Sequence, residues 1–354
     1  MKEKFPRGII VSAVLLSVLA MQICAFAATW VGGQSDDWND PANWSPVGGG
    51  PLPPLPADEG HLIGTSKTNY WPVIYNNHYD GSSIVPGPDA DGFNAYSGLL
   101  SMSEWSGYSQ LTFDGGVLYM SANAYVIVGR HTGDTALLTI ESGGIGAYMT
   151  PPGGALDVYG ATRWLRIGRG DSTGGGLGTM IMNGGKVYAQ AMSVGNSDGT
   201  GDGGSSATIN DGAQLYVGCN FIEASFDIGP TASMTINPGG YVKMFGDRLK
   251  GNANEENQYV WAKGALNLVA DASGSARLIV PAWIETAAQL KGYFGYYDGE
   301  TLIPGNVNAI YNGGAGQFVF SYPGGNYTEI TVIPEPASML LLGLGGLALI
   351  RRKL

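Results

Sequence analysis

Five segments of this chain repeat one cadence: two apolar residues flank a Thr or similar residue, and a turn rich in Asn, Asp, Glu or Pro with glycine follows. They are Leu111-Thr112-Phe113-Asp114-Gly115-Gly116, Leu138-Thr139-Ile140-Glu141-Ser142-Gly143-Gly144, Met180-Ile181-Met182-Asn183-Gly184-Gly185, Ala207-Thr208-Ile209-Asn210-Asp211-Gly212-Ala213 and Met234-Thr235-Ile236-Asn237-Pro238-Gly239-Gly240. Alternation of this kind reads as a half-buried strand, and the glycine-bearing end reads as a turn. The closing residues Gly116, Gly144, Gly185, Ala213 and Gly240 are 28, 41, 28 and 27 apart. An insertion of about 13 residues around 147–154 accounts for the long interval. A second echo follows several repeats, as Val126-Ile127-Val128-Gly129, Leu165-Arg166-Ile167-Gly168, Met192-Ser193-Val194-Gly195 and Leu215-Tyr216-Val217-Gly218.

A period near 28 with two or three short strands fits one rung of a parallel β-helix. A single rung leaves its apolar face and strand edges uncovered, so rungs have to stack. The expected fold class is therefore all-β, a β-solenoid of glycine-turned rungs over residues 109–250, with a β-sandwich or jelly roll as the alternative. Composition agrees: 44% of residues are hydrophobic and only 13% charged, with 57 glycines and 19 tyrosines. Disordered chains are poor in aromatic and β-branched residues, whereas this one carries them throughout.

The two ends differ from the body. Lys2, Lys4 and Arg7 precede an apolar stretch from Gly8 to Ile23, and Ala25-Phe26-Ala27 supplies small residues around a cleavage site. This pattern predicts a signal peptide over 1–27, with a signal helix and signal peptidase acting after Ala27. Cys24 follows Ile23, where a lipoprotein signal needs a small residue, so lipidation is not expected. At the other end Val332-Ile333-Pro334-Glu335-Pro336-Ala337 leads into an apolar run from Met339 to Ile350 and then Arg351-Arg352-Lys353-Leu354. Pro334 and Pro336 keep the chain extended and end the preceding strand. The apolar run predicts a short hydrophobic helix that can enter a bilayer but is short for a stable span. Arg351, Arg352 and Lys353 would stay on the cytoplasmic side, leaving Pro334, Glu335 and Pro336 on the outer side.

This tail resembles the PEP-CTERM sorting signal, whose three parts are Pro-Glu-Pro, a hydrophobic helix and terminal arginines. The resemblance covers residues 333–354. It implies recognition by an exosortase-type transpeptidase, transient insertion in the inner membrane, and delivery to the cell surface or extracellular matrix.

Between the ends, residues 28–108 carry widely spaced tryptophans, Trp30, Trp38 and Trp44, and a proline-rich stretch from Pro51 to Pro56. Their expected role is to cap the stack; a platform of exposed Trp30, Trp38, Trp44, Trp71 or Trp105 for sugar rings is the alternative. Residues 251–332 hold less regular strands, Ala265 to Val269, Arg277 to Val280, Gln317 to Ser321 and Thr328 to Ile333, which continue or close it.

The charge pattern excludes one class of partner. Of 18 basic and 29 acidic residues, six and two respectively lie in the targeting ends, which leaves 12 against 27 and a net of −15. Such a body is repelled by phosphate backbones, so nucleic-acid binding is not expected. After processing Cys219 stands alone, so there is no disulfide framework.

Catalysis finds little support. A lyase or hydrolase on a β-helix needs acids and a base converging from adjacent rungs. Arg163, Arg166, Arg169 and Asp171, with Asp157, crowd one repeat, but Arg166 and Arg169 flank Ile167-Gly168, where alternation turns them outward. His61, His78 and His131 lack metal-ligand spacing. Asp198 and Asp202, in a Gly-Asp run from Gly195 to Gly204, are weak calcium candidates, and Asp36, Asp37 and Asp40 form a second acidic cluster; turns use the same residues. The expected function is non-enzymatic: a structural or adhesive protein touching extracellular polysaccharide, with a matrix polysaccharide lyase or hydrolase, or a carbohydrate-binding module, as alternatives.

Overall fold

A computed structural model describes residues 27–46, 60–64, 70–80, 82–103, 107–121, 124–149, 157–168, 175–196, 204–218, 225–245, 260–298, 301–324 and 327–334. Within them the chain is nearly all β, with a single α-helix. The signal helix and the C-terminal hydrophobic helix fall outside the described residues, as do Cys219, Asp198, Asp202, Arg169 and Asp171.

Most pairing falls into three parallel ladders within one 24-stranded sheet. The first joins Ala27–Trp30, Gly60–Ile63, Leu99–Met102, Tyr125–Val128, Thr162–Ile167, the later part of Lys186–Val194, Ser225–Ile228 and Val260–Ala262. The second runs from Val73–Tyr75 through the early parts of Gly107–Met120 and Asp134–Ile145. It continues through Leu177–Met182, Ser206–Ile209, Ser233–Ile236 and Ala265–Asp271 to Val307–Tyr311. The third takes Ala95–Ser97, the late parts of Gly107–Met120 and Asp134–Ile145, and the early part of Lys186–Val194. Gln214–Val217, Tyr241–Met244 and Arg277–Val280 extend it.

The five sequence repeats lie in the second ladder in register. Leu138 sits beside Leu111 and Met180, and Ala207 beside Met180 and Met234. Alternate residues, such as Met180 with Met182 and Met234 with Ile236, are buried, while Ile181 and Thr235 between them are half-exposed. All three ladders contribute to a single apolar core, which includes Val126, Leu165, Leu138 and Leu215. The repeats thus pair parallel, where a sandwich or jelly roll would pair them antiparallel.

The glycines that close the repeats turn the chain from the second ladder to the third. Gly144 has φ +137°, and a Cβ there would lie 1.8 Å from the Lys186 carbonyl oxygen of the next turn. Only glycine allows that approach. Beside this corner the side chains form a row: the Asn183 amide donates to both Glu141 oxygens, Asn210 donates to Asn183 at 2.7 Å, and Asn237 donates to Asn210 at 2.6 Å.

One assignment of the second echo is corrected. Leu215-Tyr216-Val217 belongs to the third ladder, beside Val187-Tyr188-Ala189. The strand that continues the first ladder after Met192-Ser193-Val194 is Phe226-Asp227-Ile228. The two segments share the same alternation, so apolar spacing alone does not separate them.

The insertion around 147–154 leaves the ladders as an antiparallel hairpin, Ala147–Met149 with Asp157–Tyr159. Its Val158 packs with Ala161 and Tyr188 on the outside, with Tyr216 and Phe245 against them. This insert, and antiparallel pairs at both ends, keep the 24-stranded sheet from being a uniform stack. At the start Trp30, Trp38 and Trp44 are buried and meet edge to face at 5.1 and 4.6 Å. At the far end lies the one α-helix among the described residues, Ala287–Tyr293, which the sequence reading missed. Thr286 and Gln289 cap its N-terminus reciprocally. Such a capping box suits a helix too short to persist alone.

Candidate functional site

The C-terminal strand Tyr327–Pro334 carries the start of the sorting motif. It pairs antiparallel with Arg277–Val280 on one side and with Gly314–Gly324 on the other. Thr328, Ile330 and Val332 point into the protein and are buried, whereas Ile333 is exposed. Pro334 lies opposite Gly316 and is the last described residue of the strand. Val332 is the last buried side chain of this strand. Glu335, Pro336, Arg351, Arg352 and Lys353 lie outside the described residues, as does Ala25.

Of the candidates for chemistry, Arg163 and Arg166 lie on the strand Thr162–Ile167, while Arg169 and Asp171 lie outside the described residues. The Arg166 guanidinium lies over the Tyr125 ring at 5.0 Å and the Trp164 ring at 5.4 Å. That is a cation–π stack on the outward side of the first ladder. His61 is buried in the N-terminal end with its Nδ1 2.9 Å from Ser97 Oγ, and His78 meets the Gly87 carbonyl at 2.9 Å. Among the described residues no three His, Cys, Asp or Glu side chains are grouped to hold a metal ion.

The acidic cluster is a set of turn caps. Asp40 accepts from Ala42 N and Ser35 Oγ, Asp36 from the Tyr75 hydroxyl, and Asp37 from Asn39 N and from Asn77 Nδ2 at 2.6 Å. Burial pushes the Asp37 carboxyl above the ordinary aspartate range, against the lowering effect of its hydrogen bonds.

The tryptophans named as a sugar platform are placed otherwise. Trp30, Trp38 and Trp44 are core residues, Trp71 is half-buried with its edge to Tyr108, and Trp105 lies outside the described residues. Among the described residues the most exposed large apolar one was not singled out: Trp283, at 59%. It stacks flat on Tyr322, with centroids 3.9 Å apart and planes 7° from parallel. The indole N–H donates to Glu285 at 3.0 Å, and the Tyr322 hydroxyl donates to the Ile284 carbonyl at 3.2 Å. Buried Thr328 holds the backbone between them, accepting from Ile284 N and donating to Ala282 O. An open groove of about 450 Å³ runs between the helix Ala287–Tyr293, the strand Val307–Tyr311 and the strand Gly314–Gly324, the strand that also carries Tyr322. Ala287, Lys291, Asn308, Gln317 and Phe318 line it. The only sequence signal was the unpatterned Trp283 in a segment between strands.

Residues 332–353 match the family model of the PEP-CTERM protein-sorting motif. No curated protein and no solved structure matches the chain. A motif of this kind marks a chain for exosortase processing, export and sorting to the cell surface. No described helix is long and apolar enough to cross a membrane.

Proposed function

We propose that this chain is a non-catalytic structural or adhesive protein of the cell surface or extracellular matrix, with a short β-solenoid as its body and polysaccharide as its neighbour. The observation that carries the reading is the sorting motif, which begins on the last strand of the body without an intervening linker. A body attached so closely to its sorting signal is delivered as a folded unit. The solenoid reading draws on three parallel ladders visited in rotation, in the register of the repeats. The non-catalytic reading draws on Arg166, whose guanidinium lies over the Tyr125 and Trp164 rings on the outward side of the first ladder.

The test uses the full chain with an internal tag, expressed in a host that carries an exosortase. Wild type is expected at the cell surface with a shortened C-terminus by intact mass. A variant with Glu335→Ala, Arg351→Ala and Arg352→Ala is expected at full length in the membrane fraction. Equal surface delivery of both would remove the sorting reading, and release of new reducing ends from matrix polysaccharide, with or without Ca²⁺, would overturn the non-catalytic one.

A further inference from the structure

The C-terminal groove and the Trp283–Tyr322 pair lie along the same strand, Gly314–Gly324. Groove residues Gln317 and Phe318 precede Tyr322 by a few positions, so groove and platform together span ~20 Å at a strand rise of ~3.3 Å per residue. We propose that this strip binds a neutral polysaccharide chain, with one sugar ring seated on the outer face of Trp283 and its neighbours along the groove. This deepens the reading above, on which it rests for the presence of polysaccharide at the protein's destination.

Four features argue for that ligand. The first is the ring itself. One face of Trp283 is covered by Tyr322 and the indole N–H is held by Glu285, so the ring is fixed while the residue stays 59% exposed. The face of an indole is electron-rich, and the axial C–H groups of a pyranose are weakly positive, so a sugar ring stacks on it without charge. The second is rigidity. Thr328 bridges Ala282 and Ile284, and the helix that follows is capped by Thr286 and Gln289. Little ordering is then left for the ligand to impose.

Third, the groove is lined by two amides, Asn308 and Gln317, and by Lys291, with no carboxylate. Amides both donate and accept, which matches hydroxyl-rich rings. The fourth is the charge of the whole chain, −11, which repels a polyanion and leaves a neutral chain as the fitting occupant. A protein partner is a different occupant of the same exposed strand edge, and the test separates the two.

The experiment is affinity electrophoresis and calorimetry of the purified full-length chain against soluble neutral glucans and mannans, with a polyuronate as the charged control. Wild type is expected to be retarded by at least one neutral glycan and not by the polyuronate. Trp283→Ala is expected to weaken that binding about tenfold, the loss of one stacking contact, and Gln317→Ala about threefold through one hydrogen bond. Both side chains are exposed, so unchanged circular dichroism and thermal midpoint will accompany the loss. Retardation by the polyuronate alone, equal binding by wild type and Trp283→Ala, concentration-dependent self-association in place of glycan binding, or no binding to any glycan would each overturn the proposal. A chain that reaches the surface but binds no glycan sinks this inference and leaves the sorting reading intact.

Discussion

His61 packs beside the rings of Trp38 and Trp44, 5.0 and 4.9 Å from their centroids. The Ser97 hydroxyl gives its one hydrogen to the Leu99 carbonyl, so it accepts from His61 and places the imidazole proton on Nδ1. Burial pushes the pKa from 6.5 down to about 3, because the loss of water disfavours the charged ring. The unfolded chain therefore takes up a proton that the folded protein refuses. Stability from this residue is complete above the unfolded pKa near 6.5 and is lost as the pH falls toward 3. At pH 4.5 the loss amounts to roughly 3 kcal/mol. Urea midpoints measured from pH 7.5 to 4.5 should fall more steeply for wild type than for His61→Asn, which keeps a donor for Ser97 but cannot titrate. Parallel curves would assign the acid sensitivity to other groups. The sequence reading found only that His61 lacked metal-ligand spacing; its burial depends on Trp38 and Trp44 from one segment and Ser97 from another.

At the scale of elements, the corners carry more of the fold than the strands they join. Alternation such as Met180-Ile181-Met182 is common to many strands, but a corner has to hold a backbone conformation that side chains disfavour. Gly144 combines φ +137° with a carbonyl oxygen where its Cβ would stand. Gly144→Ala is expected to cost about 3 kcal/mol or more. Gly212 has φ +76° with open space around it, so Gly212→Ala should cost only about 1 kcal/mol. Chemical denaturation of the two variants measures the difference, and equal costs would show that the backbone of the next turn yields easily. The glycines were legible in the sequence because each recurs at the same place in the cadence. The Asn183, Asn210 and Asn237 row was visible as letters but not as a hydrogen-bonded stack, since that needs the register between turns. The helix Ala287–Tyr293 left a readable trace in Thr286 and Gln289, but its seven residues are too few for a periodic signal.

Over the whole molecule, protection is unequal because each strand leans on the strands before and after it. Central strands such as Tyr125–Val128, Leu177–Met182 and Ser206–Ile209 have parallel neighbours on both sides and fully buried inner residues. Gly314–Gly324 is antiparallel, largely exposed, and free of charged residues that would discourage edge pairing. Hydrogen exchange is expected to be slowest in those central strands and fastest along Gly314–Gly324, by factors of a hundred or more. Uniform protection from end to end would mean that the protein opens only as a whole. Binding of a neutral glycan to the Trp283 strip should slow exchange at the C-terminal end alone.

Several properties of this protein were decided by the sequence without help from distant contacts. The alternation of buried and exposed residues, the glycine corners, the recurrence of the five repeats and the bounds of the sorting tail each depend on residues a few positions apart, or on an interval near 28 with one insertion. Tertiary structure decided the rest. It sent Leu215-Tyr216-Val217 to the third ladder and Phe226-Asp227-Ile228 to the first, because two segments of equal alternation are told apart only by which neighbours remain to be covered. It buried Trp30, Trp38 and Trp44 and exposed Trp283 on Tyr322, residues 39 positions apart. Tryptophan suits a core and a surface equally well, and only the closing of the C-terminal strands determines which face of the ring meets water.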